Sequence, residues 1–116
     1  MQRMSVIALI AMVGAAACST PVSAQDEATI AAGRELARKL CARCHAVGRN
    51  DTSALVKAPP FRVIARRYSV WSLQESLAEG IVTGHAAMPQ FVFNPDQIDQ
   101  LLTYMDTLSI KKRRSQ

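Results

Sequence analysis

Cys41-Ala42-Arg43-Cys44-His45 is the stretch from which the rest of the chain is read. Two thiols three positions apart fall on the same side of a helical turn. Both can therefore reach one flat macrocycle, each adding to a vinyl group to form a thioether. The histidine that follows brings an imidazole, a standard iron ligand, to the same ring. The pentapeptide thus reads as the attachment site of a covalently bound haem. Three other readings are weaker. A thioredoxin-like pair of cysteines belongs within a βαβ pattern, and no strand pattern surrounds this one. A structural zinc site needs four ligands, and only Cys18 and His85 remain to supply them. A disulfide between Cys41 and Cys44 leaves His45 without a role.

Outward from this motif, 116 residues are enough for one domain. The first 24 residues read as a cleaved signal peptide: Arg3, an apolar run from Val6 to Ala17, then the small residues of Val22-Ser23-Ala24. The run is short for a membrane span. Cleavage after Ala24 leaves a domain over 25–110 and a basic tail, 111–116. A second reading of the same region takes Ala15-Ala16-Ala17-Cys18 as a lipoprotein signal, with Cys18 acylated and the protein tethered. That match lacks the branched residue three positions before the cysteine. Export suits haem attachment, which needs reduced thiols on an unfolded chain, and in a bacterium it points to the periplasm. The formal charge of +5 includes Arg3, so losing it gives 5 − 1 = +4. A mildly basic protein suits acidic partner surfaces or anionic membrane. Export and the spread of the charge argue against nucleic acid.

Along the chain the periodicity is helical. Asp26 to Cys41 carries acids at its start, bases near its end, and a stripe of Ile30, Gly33, Ala37, Leu40 and Cys44. Residues 46–60 read as a loop closed by Pro59-Pro60. Phe61 to Tyr68 predicts a short helix with Phe61, Ile64, Ala65 and Tyr68 inward and Arg62, Arg66 and Arg67 outward. Ser72-Leu73-Gln74-Glu75 has the spacing of a capping box, and Gly80 is placed to end that helix. Asn94-Pro95 opens the last helix, whose stripe is Ile98, Leu101, Leu102, Met105 and Leu108. Two methionines lie beyond the leader. Met105 falls on the stripe and reads as core. Met88 lies in a loop beside Pro89, where no stripe explains it, so its sulfur is the candidate second iron ligand. His85, three residues away, is its rival.

Taken together, Cys41-Ala42-Arg43-Cys44-His45, Ala58-Pro59-Pro60-Phe61 and Gly84-His85-Ala86-Ala87-Met88-Pro89-Gln90-Phe91 resemble a small bacterial class I cytochrome c over roughly Asp26 to Ile110. The resemblance implies an all-α cytochrome c fold, three to five helices wrapped around one haem c, with the first and last helices crossing. It implies that Pro59 or Pro60 offers its backbone carbonyl to His45. It implies that Met88 opposes His45 on the iron. For Trp71 it suggests a contact with the haem or a propionate, against ordinary core packing as the alternative. It implies that Tyr104 lies against Gly33.

The function expected from these residues is one-electron transfer with both axial positions filled, not catalysis. Basic residues such as Arg43, Lys57 and Arg66 would meet the acidic docking surface of a redox partner, with brief, salt-sensitive contacts. The tail, like an acylated Cys18, offers a further contact with membrane. One alternative is a haem subunit inside a dehydrogenase or oxidase complex. Another is an enzyme or gas sensor with an open iron site, which no acid–base constellation supports.

Overall fold

The computed structural model describes residues 24–80 and 88–109. Residues 1–23 of the expected signal peptide, His85 and the expected basic tail lie outside the described residues, while Ala24, the last residue of that expected peptide, opens the first helix. Among the described residues, all regular structure is helical. Helix α1 spans Ala24–Leu36 and runs into a π-helical turn, Ala37–Cys41. Helix α2 spans Phe61–Arg67. A 3₁₀ turn, Val70–Leu73, leads into α3, Gln74–Glu79, and α4 spans Pro95–Thr107. No helix among the described residues is long and apolar enough to cross a membrane.

The frame is the crossing of α1 with α4. A methyl group on Gly33 would sit 1.8 Å from the Gln100 carbonyl oxygen and 2.8 Å from the Tyr104 Cβ. The two backbones therefore touch, which only glycine permits. Around that point Ala37, Ile98, Leu101, Leu102, Tyr104, Met105 and Leu108 are buried in one cluster with Phe61, Ala65, Val70, Leu77 and Phe93. Ile30 and Leu40 pack against it from α1. The stripe expected on α4 is thus its buried face, and Met105 is core. With Leu102 fully enclosed, truncation to alanine would cost about 2–5 kcal/mol.

The start of α4 is set by its cap. The Asn94 side chain accepts from the Gln97 N–H at 2.9 Å, and the Gln97 side chain accepts from the Asn94 N–H at 3.1 Å. Pro95 occupies the first turn, where its missing N–H costs nothing. Gly80 ends α3 with φ 89°, a left-handed conformation that suits glycine. The segment 88–93 has no regular structure, and the Phe93 N–H donates to the Leu77 carbonyl at 3.2 Å, tying it to α3.

Three local expectations need correction. The Ser72 capping box does not form: the Ser72 hydroxyl donates back to the Ser69 carbonyl at 2.7 Å, closing the 3₁₀ turn, and α3 begins at Gln74. Tyr68 does not point inward. It caps α2 in an extended conformation and is 46% exposed, because the helix stops at Arg67, before the period would bring it to the core. Arg62 is not a solvated outward charge. It is half-buried, donates to the Gly48 carbonyl at 3.4 Å and pairs with Asp51 at 3.5 Å.

Candidate haem-attachment site

The π turn delivers the motif. Its wider ring is closed by the Ala42 N–H bonding to the Ala37 carbonyl at 3.0 Å. Single π turns inside helices often mark functional sites. The Cys41 carbonyl then accepts from both the Cys44 and His45 N–H groups, at 3.1 and 2.9 Å. This one turn brings Cys41, Cys44 and His45 together. Both cysteines are half-buried and carry free thiols. Burial pushes the Cys41 thiol up to about 11, so at neutral pH it is uncharged in the folded chain.

The imidazole is held from behind. His45 Nδ1 lies 2.8 Å from the Pro59 carbonyl. A carbonyl only accepts, so Nδ1 carries the proton and Nε2 keeps its lone pair for a metal. The bond also strengthens the ring as a donor. Pro60 has a different duty: its carbonyl accepts from Val63 and Ile64 at 2.9 and 3.1 Å, capping α2. The Phe61 ring flanks the imidazole, 5.6 Å between centroids and inclined by 49°.

The loop that carries Pro59 is braced on several sides. The Leu55 N–H donates to the Cys44 carbonyl at 3.1 Å, and the Phe61 N–H to the Ala46 carbonyl at 2.9 Å. Ser53 Oγ accepts from the Ala46 N–H at 2.9 Å. The Asp51 carboxylate accepts from the Val47 and Gly48 amides, at distances from 2.9 to 3.1 Å. The buried Tyr104 hydroxyl donates to the Val47 carbonyl at 2.6 Å, bolting the loop to α4. None of these braces was read from the sequence. Asp51 three and four residues after two unpaired amides was the one visible signal, since aspartate often caps local backbone.

Of the other expected site residues, Met88 is half-buried at a bend, followed directly by the exposed Pro89. Trp71 sits in the 3₁₀ turn and is 42% exposed, so it is not a core residue of the protein matrix. It lines a cleft with Glu75, Ala78, Pro95 and Ile98. His85 lies outside the described residues.

These residues fit a thioether-bound macrocycle with an axial imidazole. Two free thiols share one turn, and a histidine with its free nitrogen fixed follows them. Cys41, Cys44 and His45 share a turn, but among the described residues no group of three or more His, Cys, Asp or Glu side chains is placed to hold a metal ion by itself. A zinc-type reading therefore finds no ligand set there, whereas a porphyrin brings its own four nitrogens.

Comparison with known proteins leads to the same chemistry. Residues 28–105 match the family described as cytochrome C oxidase, cbb3-type, subunit III. A cytochrome c-552 of Bradyrhizobium diazoefficiens (strain JCM 10833 / BCRC 13528 / IAM 13628 / NBRC 14792 / USDA 110) is 32% identical over 76 residues, covering 66% of this chain and 71% of that protein. No solved structure matches the chain significantly.

Proposed function

Since the chain belongs to the small bacterial c-type cytochromes, proteins of haem-based electron transfer with a covalently bound haem c, we propose that it is a periplasmic one-electron carrier with His45 and Met88 as axial ligands. The group supplies the redox chemistry: its iron exchanges one electron between the ferric and ferrous states. The protein's own residues do the rest. Cys41 and Cys44 fix the ring in place. His45, held by the Pro59 carbonyl, would ligate through Nε2. The observation that carries this reading is that hydrogen bond beside two free thiols on a single turn.

The braced loop has a mechanical part. Asp51, Ser53 and Tyr104 hold the segment between His45 and Pro59, so the imidazole keeps its orientation in both charge states. Little reorganisation then accompanies each transfer. As sixth ligand Met88 would fill the position that oxygen or peroxide needs, as suits a carrier rather than an enzyme or sensor. Met105, the other methionine beyond the leader, is enclosed in the helix crossing and is not free to serve.

Docking would use the surface beside the cysteine turn. Leu55, bonded through its amide to the Cys44 carbonyl, is 41% exposed, and Val56 next to it is 95% exposed. Exposed Arg43, Lys57 and Arg66 suit a basic rim for an acidic partner. The test of attachment is acid extraction of the purified protein. The haem colour must stay with the polypeptide and leave it in Cys41→Ser/Cys44→Ser. Loss of colour from the wild-type chain would refute covalent attachment.

The description of the matched family favours a second reading, a haem subunit working within a terminal oxidase complex. Purification from gently solubilised membranes separates the two. A carrier elutes alone from the periplasmic fraction, and a subunit travels with the complex.

A further inference from the structure

The C-terminal end of the α1–α4 crossing carries a cleft of about 480 Å³ that shares no residue with the cysteine turn, Pro59 or Met88. Arg34 and Arg38 line it from α1 and the adjoining π turn, Arg49 and Asn50 from the braced loop, and Tyr104 and Thr107 from α4. The Arg34 guanidinium lies over the Tyr104 ring, 5.6 Å from the centroid. A guanidinium that meets an aromatic ring in this way still carries N–H donors suited to an anion. Arg38 pairs with Glu35 at 3.5 Å, but both side chains are largely exposed and such pairs are weak in water. Arg49 donates to the Thr107 carbonyl at 2.6 Å, which fixes its charge at the opposite wall. One acid lines the cleft, Asp51, and its oxygens accept from the Val47 and Gly48 amides and face Arg62. Arg34, Arg38 and Arg49 thus line one cleft, and the one acid among the lining residues is already engaged.

We propose that this cleft binds a phosphate-bearing anion. Arginine forks match phosphate oxygens in bidentate pairs, and a concave site selects a discrete protruding group over a flat charged surface. The inference rests on charge and shape, and is independent of the electron-transfer reading. A ligand there leaves the haem turn unobstructed.

The test uses the haem-loaded protein and two phosphate sources at fixed ionic strength. Inorganic pyrophosphate is titrated while backbone amide NMR signals are followed. Vesicles of phosphatidylglycerol, with phosphatidylcholine vesicles as control, are sedimented with the protein. Arg34→Gln/Arg38→Gln is compared with wild type and with a chain ending at Ser109, and an unchanged optical spectrum verifies that each variant is folded. The expected result is that Gly48, Arg49 and Asn50 signals shift with pyrophosphate, and that the double variant weakens binding about tenfold or more. Dependence on Arg34 and Arg38 seen only with phosphatidylglycerol supports the same site with a lipid headgroup as the source. Binding unchanged in the double variant, binding lost only on removing the tail, or shifts spread over all basic residues would each overturn the proposal.

Discussion

At the scale of single residues, side-chain chemistry decides whether the site works. The Pro59 carbonyl leaves His45 one tautomer, and that tautomer presents Nε2. The raised pKa of Cys41, about 11 through burial, makes its thiol a poor nucleophile once the chain has packed. Tyr104 shows how far a residue's work can lie from its motif. Its hydroxyl is buried and bonded to the Val47 carbonyl, 57 residues away. Tyr104→Phe should destabilise the loaded protein by about 1–3 kcal/mol, because a buried carbonyl loses its partner. Chemical denaturation followed by the haem absorbance checks this, and an unchanged midpoint would show that water replaces the hydroxyl. In the sequence Tyr104 was legible only as a neighbour of Gly33. Its bond to Val47 was not, since nothing local marks a contact between a helix and a distant loop. His45, Cys41 and Cys44 were legible at once because their chemistry needs only a fixed spacing.

At the scale of elements, capping and close approach decide. Both ends of the fold's frame were readable: the Gly33 contact and the Asn94-Pro95 start follow from residue types with few alternative uses. Gly33→Ala should be among the most damaging small substitutions, since its methyl group meets backbone that cannot rotate away. A loss of about 1–3 kcal/mol is a lower expectation from overpacking, and thermal unfolding of the loaded protein measures it. Asn94→Ala should cost about 1 kcal/mol by removing the cap of α4. A Gly33→Ala protein as stable as wild type would mean that α1 and α4 do not cross in contact. The readings that went astray were short-range ones. Ser72 had the capping spacing, yet its hydroxyl found the Ser69 carbonyl first. Arg62 looked like a solvated charge, yet Asp51 and the Gly48 carbonyl claimed it. Such competition between local partners is settled by tertiary placement, which spacing does not contain.

At the scale of the whole molecule, a small core and a positive charge set the behaviour. The chain is short, and small domains commonly rely on a staple. Removing both thioethers in Cys41→Ser/Cys44→Ser should therefore lower the far-ultraviolet helical signal as well as the colour. The formal charge of +5 suits encounter with acidic partners. The second-order rate of oxidation by an acidic redox protein should fall as ionic strength rises, and a rate indifferent to salt would contradict docking through the basic rim. The optical spectrum of the ferric protein bears most directly on His45 and Met88 as the axial pair. We expect a sulfur-to-iron charge-transfer band that disappears in Met88→Ala while the haem stays attached. A wild-type protein without that band, or a band that survives in Met88→Ala, would contradict it.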